Sequence, residues 1–350
     1  MGSTASMEAL VWLGPRTMEM QTTAIPHLQA GEVLVEVAAA GICGSELSGY
    51  LGQNSLRKPP LIMGHEAAGR IVGISAEARL RDGSSAKEGD RVAFNPLISC
   101  LQCDRCLAGF PNLCRQRQLI GVHRPGAFAS FVAVPAALCY PVPAMLSTSL
   151  AALSEPLACS VRAVALAQLQ PEHSLLIIGA GPIGLFCLVA ARALGVKRVM
   201  VCDMSASRLS IAQRWGAQEV VNVRERDVLT TVQQLIPGGV EAVIDAVGAD
   251  ATRAQAVQAV VPGGNVVFIG LHDEASPLAA NYLIRQEITL RGSFAYTPAD
   301  FDLAFELLTQ GALQEEGDWL EERSLAEGAK AFAQLVAGEV TATKIILHVN

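Results

Sequence analysis

The sequence predicts an α/β protein of two domains, a small barrel-like β domain followed by a doubly wound parallel sheet. Three observations lead there. The chain has 350 residues, more than one ordinary core holds and room for two domains of roughly 150 residues each. Up to Tyr140 it runs in short β-rich segments broken by Gly and Pro, and after Leu150 apolar strands alternate with helical stretches. The composition agrees: 51% hydrophobic, 17% charged and 5% aromatic, which excludes a disordered chain and describes a core of small aliphatics.

The elements follow in order. The first six residues, MGSTAS, read as an unstructured leader, with a strand-like start at Met7. Val33–Val37, Ala68–Ile74, Asp90–Phe94 and Ala129–Val134 read as strands of the first domain. Between Leu150 and Ala167 an Ala/Leu-rich helical pattern takes over, placing a boundary near residue 152. Ser174–Ile178 is a continuous apolar run of the kind buried on both faces. It is followed by a helix from Gly184, strand Val199–Cys202, a helix from Ala206, strands Val220–Asn222 and Ala242–Asp245, a helix from Ala251, and strand Asn265–Ile269. Beyond Ile288 come one more strand, a helix Pro298–Gly311 and a terminal strand Lys344–Val349 that is expected to return to the first domain.

Twenty-six basic against 33 acidic residues leave a net charge of −7, and no local basic cluster offers a polyanion surface, so no nucleic-acid partner is expected. No apolar run reaches about 18 residues and no secretory leader pattern opens the chain, so no membrane partner and a cytoplasmic location are expected. Nine cysteines, an odd number, then read as reduced thiols, some of them metal ligands.

Gly179-Ala-Gly181-Pro182-Ile183-Gly184 follows a buried strand and opens a helix, the context in which a glycine pattern signals a dinucleotide. Gly179 permits the tight turn, Gly181 lets backbone approach a pyrophosphate, and Gly184 lets helix and strand pack closely. Asp203 ends the next strand, where a carboxylate accepts hydrogen bonds from the adenine ribose hydroxyls. That favours NAD over NADP, although Arg208 lies near enough to serve a 2′-phosphate.

Cys100, Cys103, Cys106 and Cys114 stand in a C-x2-C-x2-C-x7-C pattern, which suits a closed tetrahedral and therefore structural zinc site. A second set is scattered: Cys43 in Gly-Ile-Cys-Gly-Ser45-Glu46, His65-Glu66 between Gly64 and Gly69, and Glu155 in Ser-Glu-Pro-Leu. Cys43, His65 and a carboxylate would give a catalytic zinc three protein ligands and one open position.

Together these motifs resemble the zinc-containing medium-chain dehydrogenase/reductase family over residues 7–350. Glu155-Pro-Leu is similar to its polyol branch of sorbitol, threonine and butanediol dehydrogenases. The resemblance implies a GroES-like catalytic domain over residues 7–152 with a structural-zinc lobe at 95–118. It further implies a Rossmann NAD-binding domain over 153–290, a return to the catalytic domain over 291–350, two zinc ions per chain, and a homodimer or homotetramer. Cofactor contacts are then expected from Gly179, Gly181, Pro182, Ile183, Gly184, Asp203 and Arg208, and from Gly270, Leu271, Ser293 and Phe294. In that branch either Glu66 or Glu155 is the third zinc ligand. Tyr50 and Tyr296 are open between substrate-pocket and core roles.

The departures carry information too. Glu46 stands where the family commonly has Asp, so the bond that orients the ligand histidine needs a longer arm. Ser48 replaces a frequent relay histidine. Phe294-Ala295-Tyr296 lacks the arginine of the sorbitol enzymes, which argues against long polyols. Ser45 is expected to pass the proton of an alcohol whose pKa the zinc lowers, while hydride leaves for the nicotinamide. The expected activity is reversible oxidation of a secondary alcohol or polyol with NAD. The alternatives are an NADP-dependent carbonyl reductase and a non-catalytic dinucleotide sensor of the same fold.

Overall fold

The computed structural model describes residues 5–315 and 317–349. It divides into two compact units, residues 1–155 with 308–350, and residues 156–307. The sequence reading placed residues 291–307 in the first domain; they pack in the second. Thr289–Gly292 is the sixth strand of that unit's sheet. The helix Pro298–Thr309 anchors through Phe301, which is fully buried, and through Asp300, 3.8 Å from Arg162.

The first unit is β-rich. Its larger sheet runs Cys139–Pro141, Arg91–Phe94, Glu66–Ile74, Glu32–Gly41, Lys344–His348, Leu320–Ser324, with Phe131–Pro135 paired to Glu32–Gly41 as well. Val33, Val35 and Val37 share one face of the central strand and are all buried, the period-2 pattern of a half-buried strand. The terminal strand does return here: Ile346 pairs with Gly41, Leu347 with Ala40 and His348 with Ala39. A hairpin of Ser6–Gly14 and Thr17–Ala24 opens the described chain. Residues 1–4 of the expected leader lie outside the described residues, but Ser6 is paired with Ala24 and the Ala5 carbonyl accepts from Ile25 N, so the strand begins earlier than Met7. The helix Gly328–Ala337, which the sequence reading did not single out, closes the core: Phe332 is fully buried against Tyr50 and Phe128, with ring centroids 5.4 and 5.9 Å away.

The second unit holds six parallel strands in the order Glu219–Asn222, Arg198–Asp203, Ser174–Ile178, Val240–Asp245, Val260–Phe268, Thr289–Gly292. Every residue of Ser174–Ile178 is buried, as a strand covered by helices on both faces requires. The order reverses at that strand, so the ends of its neighbours diverge and leave the crevice in which such sheets bind ligands. The helix Val228–Leu235 lies between two of the expected strands; Asp227 caps it by accepting from Thr230 N at 2.8 Å. Among the described residues no helix is long and apolar enough to cross a membrane.

If the chain's C-terminal segment is built into the first unit's core, Phe332→Ala should lower the stability of that unit by about 3–5 kcal/mol. Denaturant unfolding would show it, and a loss under about 1 kcal/mol would mean that the ring is not a core element.

Candidate metal centre and cofactor turn

The strand Glu32–Gly41 ends beside Cys43, and the helix Gly44–Tyr50 starts there with Cys43 as its N-cap. Glu46, in the first turn of that helix, is fully buried. Its Oε2 accepts from Cys43 N at 3.0 Å, and its Oε1 accepts from Gly64 N at 2.9 Å and from His65 Nδ1 at 2.8 Å. An ionised carboxylate only accepts, so His65 donates through Nδ1, and Nε2 is the nitrogen whose lone pair a metal would take in place of a proton. The longer arm expected of Glu46 therefore reaches the ring. Burial works against ionisation of Glu46, but the charge and hydrogen bond of His65, the charge of Arg57 and the Cys43 N–H outweigh it and hold the carboxyl below its ordinary range.

Gly64 sits in the left-handed region, φ +101°, and a Cβ there would lie 2.6 Å from Phe128 N. Only glycine lets the His65 segment lie this close to the neighbouring backbone, where Ala127 N donates to the Gly64 carbonyl and Phe128 N to that of Met63, both at 2.9 Å. On the far side, Glu66 pairs with Gly41 across the sheet. A Cβ on Gly41 would meet Glu66 Oε2 at 2.2 Å and Lys344 Cε at 3.0 Å, so the glycine makes room for a buried ion pair between Lys344 Nζ and Glu66 Oε2. Lys344 Nζ also donates to the Ile42 carbonyl at 2.9 Å.

The structure thus brings Cys43, His65 and Glu66 together: one ligand atom from each lies within 4.8 Å of the others. Glu155, in the first turn of the helix Ser154–Leu166 and also buried, is outside that set. These residues fit a zinc ion. Glu66 Oε1 is buried and accepts no hydrogen bond, which is costly for a carboxylate oxygen unless a cation meets it. His65 shows the same demand. Burial opposes its protonation, yet the Glu46 carboxylate and the Cys43 sulfur outweigh that and hold the imidazole well above its ordinary range; a metal cation answers to the same field. Ser45 Oγ donates to Cys43 Sγ at 3.4 Å.

The four-cysteine lobe stands on a ribbon of Leu97–Ile98 paired with Gln118–Leu119. A tetrahedron of sulfurs at the Zn–S distance of about 2.3 Å has edges of about 3.8 Å. Here Cys100–Cys114 is 3.4 Å, Cys103–Cys106 3.6 Å, Cys103–Cys114 3.9 Å and Cys100–Cys106 4.0 Å, so the quartet is already near that shape. All nine cysteines are free thiols. Backbone N–H groups of Cys106 and Arg115 pull the Cys103 thiol down to about 6, while desolvation and then its neighbouring sulfurs push Cys106 up to about 12. Thiols crowded this way need a cation to ionise together. Burial, outweighing a hydrogen bond with Ser160, pushes Cys187 up to about 12, as for an inert core thiol.

In the second unit the glycine turn has the three expected properties. Gly179 has φ +97°, nothing lies within 4 Å of a Cβ placed on Gly181, and a Cβ on Gly184 would meet the Gly179 carbonyl oxygen at 1.8 Å. Pro182 and Ile183 open the helix Pro182–Ala193 behind its N-cap Gly181; proline brings no N–H, and the Ile183 N–H at the second helical position has no acceptor within the helix. Asp203 is fixed at its strand end by Ala180 N, which donates to Oδ2 at 2.7 Å, and Ser205 N, which donates to Oδ1 at 2.8 Å; each oxygen keeps a lone pair for a ribose hydroxyl. Arg208 is partly buried in the helix that Ser205 caps. Gly270 and Leu271 follow the strand Val260–Phe268, and Ser293 and Phe294 follow Thr289–Gly292, so these four residues also lie at the C-terminal edge of the sheet.

Tyr50 and Tyr296, open between pocket and core roles in the sequence, are both buried. Tyr50 is 6% exposed, and its hydroxyl donates to the Arg16 carbonyl at 3.1 Å. Tyr296 is 1% exposed and packs on Phe301 with ring centroids 5.3 Å apart. Burial and packing of both favour the core role. Arg57 and Lys344 are the residues that sequence reasoning missed. A basic residue in an otherwise apolar strand, Lys344 in Lys-Ile-Ile-Leu, was the available signal for the second; Arg57 carries none.

Comparison with known proteins agrees with this geometry. Residues 29–144 match the family model of the alcohol dehydrogenase GroES-like domain, and residues 182–310 match that of the zinc-binding dehydrogenases. The chain is 30% identical to a sorbitol dehydrogenase of Bacillus subtilis (strain 168), covering 99% of this chain and 98% of that protein. Among solved structures, a 2R,3R-butanediol dehydrogenase from Bacillus subtilis superposes with a TM-score of 0.88 at 26% identity, over 99% of this chain and 100% of its own. A zinc-binding dehydrogenase homologue from Sinorhizobium meliloti 1021, solved with NADP, gives 0.89 at 29% identity over 98% and 99%. With a thiol, an imidazole and a carboxylate converging in a GroES-like unit and a dinucleotide turn in the other, the chain belongs to the zinc-containing medium-chain dehydrogenase/reductase family, among its alcohol and polyol oxidoreductases.

Proposed function

We propose that this protein is an NAD-dependent dehydrogenase that interconverts a secondary alcohol or short polyol with its ketone, using one catalytic and one structural zinc ion per chain. The convergence of Cys43, His65 and Glu66 within 4.8 Å, beside a serine hydroxyl, carries the reading. Zinc held there supplies the Lewis acidity that brings an alcohol's pKa from about 16 toward neutrality, and bound nicotinamide takes the hydride.

The chain's own residues do the rest. Glu46 orients His65, and Lys344 balances the charge of Glu66. Ser45 Oγ holds a proton next to the Cys43 sulfur and is the proposed first acceptor for the substrate's proton. Glu66 is the proposed third ligand, and Glu155, buried in the first turn of the helix Ser154–Leu166, is proposed to hold a water molecule at the ion. Asp203 supports NAD, since a 2′-phosphate would meet a carboxylate whose two oxygens are already fixed by backbone N–H groups. The NADP bound to the Sinorhizobium homologue keeps NADP as the second reading. The absence of an arginine in Phe294-Ala295-Tyr296 favours butanediol-sized substrates over sorbitol. The open edge of the sheet at Thr289–Gly292 supports the expected homodimer or homotetramer.

The experiment that tests the function is turnover of 2,3-butanediol and sorbitol with NAD⁺ by the wild type and by Cys43→Ala. Loss of turnover with NADH binding retained, followed by nicotinamide fluorescence, is the expected result; undiminished turnover by the variant would refute the zinc assignment. For the cofactor, Asp203→Ala should reduce the preference for NAD⁺ over NADP⁺ by about tenfold or more in kcat/KM, because hydrogen bonds to a charged group contribute about 1.5–3 kcal/mol each. A wild type that prefers NADP⁺ would favour the second reading. Glu46→Ala should weaken metal binding at the Cys43 site by about 10–100-fold in competition with a chelator, while the four-cysteine lobe keeps its ion. Equal affinity in variant and wild type would show that Glu46 does not organise the ligands.

A further inference from the structure

Arg57 is a buried cation that the reaction as described does not use. It is 5% exposed. Its Nη1 donates to the Ser45 carbonyl at 2.9 Å and its Nη2 to Ser45 Oγ at 3.3 Å. The stem is accommodated by Gly49, where a Cβ would lie 2.5 Å from Arg57 Cδ, and the Nε is buried without a hydrogen-bond partner. Burying an arginine in this way is costly unless the position is needed.

The direction of the hydrogen bonds gives the reason. A guanidinium only donates, so Ser45 Oγ must accept from Arg57, and its single hydrogen is left to point elsewhere. Cys43 Sγ lies 3.4 Å from it. Arg57, Ser45 and Cys43 therefore form one directed chain, with the cation at one end and the ligand sulfur at the other. Ser48 takes no part, because its Oγ is turned back to the Gly44 carbonyl at 3.5 Å.

We infer that Arg57 is a positioning residue for the reaction: its two-pronged hold on Ser45 fixes the hydroxyl hydrogen toward Cys43 Sγ and keeps the remaining lone pair of Oγ open to the substrate's proton. The inference rests on the dehydrogenase reading of Cys43 and Ser45. The proton balances with water as the final acceptor: as Oγ takes the substrate's proton on that lone pair, its own hydrogen turns away from Cys43 Sγ and passes to a water molecule, since Arg57 only donates.

The test compares wild type, Arg57→Met, Arg57→Lys, Ser45→Ala and the Arg57→Met/Ser45→Ala double variant in two readouts. The first is the sulfur-to-cobalt charge-transfer band of the cobalt-exchanged protein, taken as a difference against Cys43→Ala to remove the bands of the four-cysteine lobe. The second is kcat and KM for 2,3-butanediol with NAD⁺. Arg57→Met is expected to shift the Cys43 band as Ser45→Ala does, and to lower kcat by about tenfold or more with little change in KM. The double variant should be no worse than Ser45→Ala alone, because both changes break one chain. Arg57→Lys, which keeps the charge and reaches one of the two oxygens, should fall between and covers the case in which Arg57→Met does not fold.

An unshifted band in Arg57→Met, losses that multiply in the double variant, or an Arg57→Lys equal to wild type in both readouts would each overturn the inference. If the wild type turns over neither 2,3-butanediol nor sorbitol with either nicotinamide, the proposed function fails, and the cobalt band still decides the case of Arg57.

Discussion

A single buried carboxylate ties the candidate metal centre together. Glu46 accepts hydrogen bonds from the backbone of Cys43, the backbone of Gly64 and the ring of His65, and so joins two proposed ligands that come from different parts of the first unit. Without it the helix Gly44–Tyr50 and the segment entering the strand Glu66–Ile74 would lose a shared polar anchor, and His65 its fixed tautomer. A charge so deeply buried is tolerated because three donors meet it and two cationic groups, His65 and Arg57, lie in its field. The same surroundings favour a cation at the ligand atoms, so the feature that costs stability is also the one that prepares the site.

The sheet of the first unit completes this arrangement from behind. Strand Glu32–Gly41 ends between Glu66 on one side and the returning strand Lys344–His348 on the other, and Gly41 leaves the space in which Lys344 meets Glu66. Closing the chain back onto its first domain therefore places a counter-charge in the site, besides filling a sheet position. The second unit follows a different logic. Its candidate cofactor residues are gathered because every parallel strand delivers its C-terminal end to the same edge, so Gly179, Asp203, Gly270 and Ser293 assemble from separate loops.

That difference explains what could be read from sequence. The glycine turn and the cysteine quartet are local, their spacing is their geometry, and both stand in the structure as their patterns required. Cys43, His65 and Glu66 were legible through their flanking glycines, whose job at Gly64 is to let two backbones touch. Lys344 was not, because its contact with Ile42 spans 302 positions and only the completed sheet brings it there. Arg57 was hidden for a related reason: its partner is a backbone carbonyl and a hydroxyl, groups that leave no pattern. Tyr50 and Tyr296 were open between pocket and core because residue type does not distinguish the two, and only the structure shows their packing against Phe332 and Phe301. The limit of the second domain was drawn short because the helix Pro298–Thr309 follows the last strand of the sheet, and the strand count alone does not say which core receives Phe301.

The most direct test of the account is anomalous X-ray diffraction at the zinc edge from crystals of the active protein. The account predicts two peaks per chain, one enclosed by the four sulfurs of the lobe and one bonded to Cys43 Sγ and His65 Nε2 with a carboxylate oxygen nearby. Crystals of turnover-competent protein with a peak in the lobe alone would contradict it.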